Sequence, residues 1–450
     1  MYDAIVIGSG PAGYTCAVRV AQLGGKVIVV EKDLTGGICT NWGCIPTKAM
    51  ITSAKIVDTI KKSSRLGIEI DGYKINFDKI IQHRDRVVGS SRKGIESLFA
   101  SYGIEIIRGE GKVISVSQVK VGDRIIEGKN IVIATGSSPI IPPFIRLSER
   151  VHSSSELLQI KKIPQSLAVI GGGVIGLEFA TLFSTLGSEV TIIEMMDRIL
   201  INCDIEISAE LARQYSRSGI KILTKHKVKE VRDGFVKCEN LDTGKDLEIT
   251  PEYILVAIGR RANIDAGMLE SVGIKYDKNG IFVDDYLRTN IPSVFALGDA
   301  TGKSILAHVG IEQGTVAADN IMGKNRKIEY IVPACIYTFP EVAEVGKHEN
   351  EVIGARVGKF PFIANARGRC EVHTVGFYKV VVKDDVIVGA QVIGQNATEL
   401  IAEAALAIKN KISAVEIMDT IHAHPTYAES FKAAVEDAYG KAIDLPPNKG

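Results

Sequence analysis

Two cysteines, Cys39 and Cys44, lie five positions apart in the run Gly-Gly-Ile-Cys-Thr-Asn-Trp-Gly-Cys-Ile-Pro-Thr-Lys at residues 36–48. The run follows a glycine-rich stretch that is typical of a nucleotide-binding turn. Neighbouring thiols carry two electrons by switching between a dithiol and a disulfide. The pair therefore predicts electron transfer between a nucleotide cofactor and sulfur.

The local sequence favours a reactive thiol. A regular α-helix would separate the two cysteines by roughly 7.5 Å along its axis, whereas a disulfide needs Cα atoms about 4.4–6.8 Å apart. We therefore expect one cysteine in a turn before a helix, or a distorted first turn, with Gly43 supplying backbone freedom. Pro46 suits a first helical turn. Cys44 is then near a helix N-terminus, where the helix dipole and Lys48, one turn on, favour the thiolate.

Two other interpretations of the pair are half of a zinc site and a purely structural disulfide. Structural zinc takes four ligands, usually from two such pairs, and the sequence has no second cysteine or Cys/His pair with that spacing. Seven cysteines are an odd number and too few for a disulfide scaffold. The other five are expected to be buried, inert thiols: Cys16, Cys203, Cys238, Cys335 and Cys370.

A glycine fingerprint occurs twice. Gly-Ser-Gly-Pro-Ala-Gly at residues 8–13 and Gly-Gly-Gly-Val-Ile-Gly at residues 171–176 each follow an apolar strand-like run and open a helical stretch. In both copies a glutamate, Glu31 or Glu194, follows the first glycine by 23 residues. Such glycines let the backbone approach a pyrophosphate, and the helix N-terminus offers free N–H groups. Ordinary packing glycines are the alternative, but two matched copies predict two dinucleotide sites.

Two acids are placed to meet ligands at strand ends. Glu194 can accept a hydrogen bond from a ribose 2′-hydroxyl and would repel a 2′-phosphate, which favours NAD over NADP. Asp299 follows the apolar run at residues 293–297, where a ligand crevice is expected. Asp299 as the cap of the following helix is an equally open interpretation.

A histidine near the end of the chain has the character of an acid/base group. Pro425 fits the first position of a helix, which places His424 at the turn into that helix and Glu429 about one turn in. A carboxylate there orients the imidazole and raises its basicity, and dithiol chemistry needs such a base. A structural histidine is the alternative, but the cysteine pair favours catalysis. His422 is expected to be structural, and His308 to border the cofactor without a clear chemical duty.

Composition limits the class of protein. A length of 450 residues predicts two to four domains, and a net charge of +1 gives no case for binding nucleic acid or an anionic membrane. No apolar run is long enough for a membrane span. The first residues enter an apolar strand-like run at once, so we expect no signal peptide. We expect a cytoplasmic protein of the α/β class, with two Rossmann-like dinucleotide-binding domains and a C-terminal α+β domain containing an antiparallel sheet.

The assembled motifs resemble the pyridine-nucleotide disulfide oxidoreductases over essentially the whole chain. The motifs that carry the resemblance are at residues 8–13, 36–48, 134–136, 171–176, 297–299, 337–341 and 421–426. The resemblance implies an FAD-binding domain in two parts (1–143 and 263–329), an NAD-binding domain (144–262) and a C-terminal dimerisation domain (330–450). It also implies a homodimer whose active site is completed across the interface.

The resemblance assigns roles to individual residues. The implied FAD-binding residues are Gly8, Gly10, Gly13, Glu31, Lys48, Thr135, Gly136, Asp299 and Ala307. The implied NAD-binding residues are Gly171, Gly173, Gly176, Glu178, Glu194 and Gly259. The implied catalytic residues are Cys39, Cys44, Lys48, His424 and Glu429, with no metal.

The implied reaction is oxidation of protein-bound dihydrolipoamide through a Cys39–Cys44 disulfide and FAD, with hydride passed to NAD⁺. The partner would be a lipoylated acyltransferase of a 2-oxoacid dehydrogenase complex or a lipoylated glycine-cleavage carrier. The alternative is NAD(P)H-dependent reduction of another small disulfide or of a quinone. Three neighbours of the cysteines depart from the commonest family pattern and bear on the preferred disulfide: Ile38, Thr40 and Trp42.

Overall fold

A computed structural model describes residues 1–446 of the chain. The elements up to residue 139 are β1 (Tyr2–Ile7), α1 (Pro11–Gln22), β2 (Val27–Glu31), α2 (Gly37–Trp42), α3 (Cys44–Lys62), α4 (Phe77–Ser101), β3 (Glu105–Arg108), β4 (Gly111–Ser115), β5 (Gln118–Val121), β6 (Arg124–Ile133) and β7 (Ser137–Pro139). Next come β8 (Val151–His152), α5 (Ser154–Leu157), β9 (Ser166–Ile170), α6 (Val174–Thr185), β10 (Glu189–Ile193), α7 (Ile205–Arg217), β11 (Lys221–Leu223), β12 (His226–Arg232), β13 (Phe235–Asn240), β14 (Asp246–Ile249), β15 (Tyr253–Val256) and β16 (Arg260–Ala262).

The remaining elements run from residue 266 to residue 437. They are α8 (Ala266–Ser271), β17 (Val294–Ala296), α9 (Ala307–Ile321), β18 (Ala334–Ile336), β19 (Glu341–Gly346), β20 (Arg356–Pro361), α10 (Ala366–Cys370), β21 (Phe377–Lys383), β22 (Val386–Gly394), α11 (Ala397–Asn410), α12 (Ala414–Asp419) and α13 (Glu429–Asp437). Single 3₁₀ turns lie at Ser63–Leu66, Gly298–Thr301 and Glu349–Glu351.

The first sheet has a parallel part in the order β3-β2-β1-β6-β17, and β5 and β4 extend it as an antiparallel meander. β2 is buried along its whole length, which explains its unbroken apolar sequence before Glu31. β17 pairs with β6 with Val294 opposite Ile131, so the chain returns to this sheet after the second nucleotide unit. This return supports the expected two-part first domain, although the domain bounds stay a prediction.

The second sheet repeats the design. Its five strands run parallel in the order β11-β10-β9-β15-β8, with β9 leading into α6 as β1 leads into α1. A three-stranded antiparallel sheet, β12-β13-β14, is inserted before β15. β7 and β16 pair as a short antiparallel ribbon that joins the two nucleotide units.

The C-terminal sheet is antiparallel throughout, in the order β18-β19-β22-β21-β20. One face packs on α11 and α13 in a core that includes Tyr378, Ala404 and Phe431. The other face contributes Phe377 and Ile393 to an apolar cluster shared with α6 and α7. The expected fold class is confirmed: two dinucleotide-binding units and an α+β unit. Within residues 1–446, no helix is both long and apolar enough to cross a bilayer.

Candidate active site

The first fingerprint forms an open cradle between β1 and α1. Gly8 has φ +101°, and a Cβ there would lie 2.3 Å from the carbonyl oxygen of Ala134. A Cβ at Gly13 would lie 2.0 Å from the carbonyl oxygen of Gly8. At Gly10, by contrast, no atom lies within 4 Å of a built Cβ. The outer glycines are therefore required for packing, and the middle one faces free space at a helix N-terminus, which fits a pyrophosphate.

The second fingerprint has the same geometry. Gly171 has φ +108°, and a Cβ there would lie 2.5 Å from the carbonyl oxygen of Ala257. A Cβ at Gly176 would lie 2.2 Å from the carbonyl oxygen of Gly171, whereas Gly173 again faces open space. Two cradles with matched dimensions fit two dinucleotides and argue against glycines that serve packing alone.

The two fingerprint glutamates are held alike at the ends of β2 and β10. Glu31 is buried, and Ser9 donates to its Oε2 from the backbone N–H (2.8 Å) and from Oγ (2.6 Å). Glu194 accepts from the backbone N–H of Gly172 (2.6 Å) at Oε2 and from that of Met196 (2.7 Å) at Oε1. Each carboxylate is thus fixed beside its own glycine turn, where a nucleotide ribose would lie.

Gly43 breaks the helix between the two cysteines. Cys39 lies in α2 and Cys44 is the first residue of α3, while Gly43 has φ −141° and ψ −109°, outside the helical region. A Cβ at Gly43 would lie 3.0 Å from the carbonyl oxygen of Ile38, so the turn is also tight. The structure differs from the expected turn: Cys39 lies in a short helix of its own, and the break at Gly43 separates it from Cys44. All seven cysteines are free thiols in the structure.

The two cysteines shift each other's pKa in opposite directions. The hydrogen bond from Cys39 lowers the pKa of Cys44 to about 7, with help from Lys48 and against burial and Glu178. The same hydrogen bond, together with burial, raises the pKa of the Cys39 thiol. In the dithiol state Cys44 is therefore the more acidic of the two thiols. A thiolate at a helix N-terminus is also favoured by the helix dipole.

An ion pair connects the sulfur site to the second nucleotide unit. Lys48 Nζ lies 2.8 Å from Oε1 and 2.7 Å from Oε2 of Glu178, a buried residue of α6. The backbone N–H of Tyr337 donates to Glu178 Oε1 (3.2 Å), and Lys48 Nζ lies 4.6 Å from the centroid of the Tyr337 ring. Three parts of the chain that are distant in sequence therefore meet beside Cys44.

Asp299 lies in the 3₁₀ turn after β17 and does not cap α9, whose N-cap is Leu306. Ser137 Oγ donates to Asp299 Oδ2 and accepts from Arg260 Nε (2.8 Å). Burial lowers the pKa of Arg260, while the negative charges of Asp299 and Cys44 act in the opposite direction. Sequence reasoning missed Ser137 and Arg260. The available signal was a charged residue directly after Gly259, at the end of a parallel strand.

Four further predicted residues lie at the carboxyl ends of strands or at a helix start. Thr135 and Gly136 follow β6, and Gly259 follows β15. Gly136 (φ +71°) has open space at a built Cβ, while Thr135 Oγ1 donates to the carbonyl oxygen of Asn263 (2.9 Å). Ala307 is the first residue of α9, so its N–H has no partner inside that helix. Thr135 and Gly136 follow Ala134, which packs against Gly8 of the first cradle, whereas Gly259 lies two residues after Ala257, which packs against Gly171 of the second.

The geometry around His424 differs from the expectation. The His424–Pro425 peptide bond is cis, and α13 begins only at Glu429, so Pro425 does not occupy the first helical position. The predicted contact is nevertheless made: His424 Nδ1 lies 2.8 Å from Glu429 Oε1, and the backbone N–H of Thr426 donates to Glu429 Oε2 (2.7 Å). The two side chains therefore meet across a turn, and no helix lies between them.

The single chain does not bring His424 to the cysteines. Its side chain is 68% exposed, and among residues 1–446 no hydrogen bond or ion pair joins it to Cys39 or Cys44. His422 is bonded to Glu403 (Nε2 to Oε1, 2.9 Å) with its side chain almost buried, as a structural histidine would be. Burial lowers the pKa of His308, which lies next to Ala307 at the start of α9.

One expectation about the other cysteines is wrong. Cys16, Cys203 and Cys238 are buried and Cys335 is partly buried, but Cys370 is exposed. Cys370 ends α10, a five-residue helix in which only Gly368 is buried. In the described part of the chain, no group of three or more His, Cys, Asp and Glu side chains is arranged to hold a metal ion.

Two nucleotide cradles joined to a cysteine pair by the Lys48–Glu178 contact define an oxidoreductase that works on sulfur. A family model described as pyridine nucleotide-disulphide oxidoreductase matches residues 2–314, and the dimerisation domain of the same family matches residues 332–435. The chain therefore belongs to the pyridine nucleotide-disulphide oxidoreductases. Membership confirms the predicted cofactors, FAD and NAD, at the level of the family, and the dimerisation domain supports a homodimer.

Individual relatives cover almost the whole chain. The dihydrolipoyl dehydrogenase of Chlamydia pneumoniae is 38% identical, over 99% of this chain and 99% of its own length. That of Geobacillus stearothermophilus is 39% identical, over 98% and 97%. Among solved structures, LpdA from Mycobacterium tuberculosis has a TM-score of 0.88 at 28% identity, covering 96% of this chain and 99% of its own. The HOCl-induced flavoprotein disulfide reductase RclA from Escherichia coli has a TM-score of 0.85 at 27% identity, covering 97% and 99%.

Proposed function

We propose that the protein oxidises protein-bound dihydrolipoamide to lipoamide and passes the electrons through the cysteine pair and FAD to NAD⁺. The observation that carries the proposal is the placement of the two cysteines, with Cys39 in α2, Cys44 at the start of α3 and the Lys48–Glu178 ion pair on the same helix, where the pKa of Cys44 is lowered to about 7. Relatives named dihydrolipoyl dehydrogenase, 38% and 39% identical over nearly the full length, support the choice of substrate.

Each cradle takes one cofactor in this proposal. FAD is held by the first, with Glu31 on its adenosine ribose and Asp299 on its ribityl chain, and bound FAD supplies the two-electron link between the dithiol and the nicotinamide. NAD is held by residues 171–176, with Glu194 on its ribose. Lys48, oriented by Glu178, adds positive charge beside the Cys44 thiolate.

The substrate is oxidised at the cysteine pair in two thiol–disulfide exchange steps. A substrate thiolate attacks Cys39 of the oxidised pair, the Cys39–Cys44 bond breaks, and Cys44 leaves as the thiolate that its low pKa favours. The second substrate thiol then displaces Cys39 and closes the lipoamide disulfide. The net reaction is dihydrolipoamide + NAD⁺ → lipoamide + NADH + H⁺.

His424 serves as the acid/base group, oriented by Glu429. It takes the proton of the attacking substrate thiol and returns a proton to the departing sulfur of Cys39. Because His424 is exposed and has no contact with the cysteines of its own chain, it acts on the cysteines of the second subunit. Mixed dimers of Cys44→Ser and His424→Gln subunits are the test: they contain one intact site and regain activity, whereas either homodimer stays inactive. Mixed dimers without activity contradict an active site shared between subunits.

A substrate comparison tests the reaction itself. We expect lipoamide with NADH to give kcat/KM at least about a hundredfold above that for glutathione disulfide, coenzyme A disulfide or a quinone with NADH, since a site built for one disulfide discriminates by several kcal/mol. A preference for another disulfide or for the quinone supports the alternative reaction. Glu194 also predicts NADH well ahead of NADPH, and equal kcat/KM for the two contradicts its role.

The partner in this proposal is a lipoylated acyltransferase of a 2-oxoacid dehydrogenase complex or a lipoylated glycine-cleavage carrier, in the cytoplasm. Affinity capture on the tagged protein from native extract, probed for lipoylated chains, tests it. Recovery of one of these two carriers supports the proposal. Capture of neither, from an extract in which lipoylated chains are detected, contradicts it.

A further inference from the structure

A row of polar side chains crosses one face of the C-terminal sheet. Glu344 of β19 lies opposite Gln391 of β22, Gln391 lies opposite Lys379 of β21, and Lys379 lies opposite Lys359 of β20. Lys379 and Gln391 are completely buried. These four residues, the polar row, occupy the face that packs against the second nucleotide unit, where apolar residues would be the default.

Lys379 is surrounded by carboxylates from two different units. Its Nζ lies 3.0 Å from Asp204 Oδ2, 2.9 Å from Glu206 Oε2 and 2.8 Å from Glu349 Oε2. Burial would lower the pKa of Lys379, but the hydrogen bonds to Glu349, Glu206 and Asp204 outweigh it and raise that pKa. The Lys379 ammonium is therefore charged, and the three carboxylates offset the free-energy cost of removing it from water.

Asp204 connects Lys379 to the start of helix α7. Its side chain is 2% exposed, and its Oδ1 accepts from the backbone N–H groups of Glu206 (2.9 Å) and Ile207 (3.4 Å), which caps the helix. Its own N–H donates to Glu344 Oε2 (3.2 Å). Asp204 thus bonds the polar row and the start of α7 at the same time.

The segment before Asp204 leads directly to the second cradle. Ser208 Oγ of α7 donates to the carbonyl oxygen of Ile199 (2.6 Å), and the N–H of Leu200 donates to the carbonyl oxygen of Gly172 (2.9 Å). Leu200 has φ +47°, a conformation that L-residues avoid and that surrounding contacts must hold in place. At its other end the segment begins with Glu194, which accepts from the N–H of Gly172.

We propose that Lys379 is a positioning residue for the second dinucleotide site: by holding Asp204 it fixes residues 194–204, and with them the Glu194 carboxylate and the turn at Gly172. The inference rests on the proposed function, because it takes residues 171–176 as the NAD site. Loss of Lys379 then weakens NAD binding and leaves the reaction of the dithiol substrate with Cys39 and Cys44 intact.

Lys379→Met in the holoenzyme tests this inference, with Lys383→Met as the matched control. Lys383 lies on the same strand, but its side chain is 38% exposed and it is bonded only weakly to Asp384 (3.8 Å). We expect the Kd for NADH and the KM for NAD⁺ to rise on the order of tenfold in Lys379→Met, a size typical of coupling through a contact network. The rate of flavin bleaching by dihydrolipoamide stays at the parental value, and Lys383→Met matches the parent in all three quantities.

A second variant covers the case in which Lys379→Met does not fold. Glu349→Gln removes one carboxylate from Lys379 at a side chain that is 44% exposed, so the fold is retained. We expect it to raise the Kd for NADH by about two- to threefold, because the half-exposed pair contributes less than a buried one. An unchanged Kd in the folded variants, or an equal loss in NADH binding and in the dithiol reaction, overturns the inference. Absence of saturable NADH binding in the parent instead overturns the proposed function.

Discussion

Replacing Cys39 with alanine removes the largest influence that lowers the pKa of Cys44. In the dithiol state the Cys39 thiol donates a hydrogen bond to Cys44, and this bond outweighs the effect of burial to bring the pKa from 9.0 to about 7. Lys48 acts in the same direction and Glu178 against it. Without the hydrogen bond, burial and Glu178 are opposed only by Lys48 and the helix N-terminus.

The size of the effect follows from the strength of that hydrogen bond. A lowering by two pKa units corresponds to about 3 kcal/mol, and a hydrogen bond to a charged group contributes about 1.5–3 kcal/mol. The hydrogen bond therefore accounts for about one to two units. We expect Cys44 to titrate with a pKa of about 8–9 in Cys39→Ala, and at an intermediate value in Cys39→Ser, whose hydroxyl still donates.

The assay is the pH dependence of iodoacetamide alkylation of the reduced protein, with mass spectrometry to measure modification at Cys44 alone. Only the thiolate reacts, so the rate rises with pH and its midpoint reports the pKa. In the parent we expect a midpoint near the value of about 7. A midpoint in Cys39→Ala that stays at the parental pH would refute the account of how the two sulfurs share a proton.

Four further substitutions have distinct outcomes. Gly13→Ala places a Cβ 2.0 Å from a carbonyl oxygen and should abolish folding, whereas Gly10→Ala should fold with reduced flavin content because its Cβ enters the open cradle. Expression yield and flavin absorbance distinguish the two variants. Equal yield and flavin content in both contradict the assignment of the first fingerprint as the flavin cradle. Glu178→Gln leaves the Lys48 ammonium beside the two cysteines without its counter-charge, and we expect kcat to fall on the order of tenfold at nearly unchanged Tm. A kcat equal to that of the parent contradicts this prediction. The hydrogen bond to Glu344 raises the pKa of His348 in the folded protein. The stabilisation from protonated His348 is therefore complete below the unfolded pKa of about 6.5 and is lost as pH rises through the folded pKa. The Tm difference between the parent and His348→Gln should shrink between about pH 6 and pH 9, and a Tm difference that stays constant over this range contradicts the prediction.

The sequence alone was sufficient where the signal is local. The two fingerprints are recognisable because a side chain at either outer glycine would clash with nearby backbone atoms, so each strand–turn–helix unit requires glycine there. The matched positions of Glu31 and Glu194 follow from the same unit. The break between Cys39 and Cys44 was also foreseeable, because a continuous helix holds the two too far apart and Gly43 lies between them.

Contacts between distant parts of the chain were harder to foresee. The pairing of Lys48 with Glu178 is implied by the family resemblance alone, since nothing in a separation of 130 residues indicates it. Arg260 was missed because its partners come from two other strand ends. Lys379 was missed because a lysine within an apolar strand gives no local sign that carboxylates will surround it. The turn at His424 was misjudged because proline was assigned to a helix start.

The most direct test of the central claim is to locate the thiols formed in a single turnover. Oxidised protein is mixed anaerobically with one equivalent of dihydrolipoamide, quenched by alkylation and mapped by mass spectrometry, while a second sample receives NAD⁺. We expect new thiols at Cys39 and Cys44 only, and NADH formed in equal amount to the lipoamide in the second sample. Parental NADH formation with both of these residues still unmodified, or from a Cys44→Ser protein, would contradict the account.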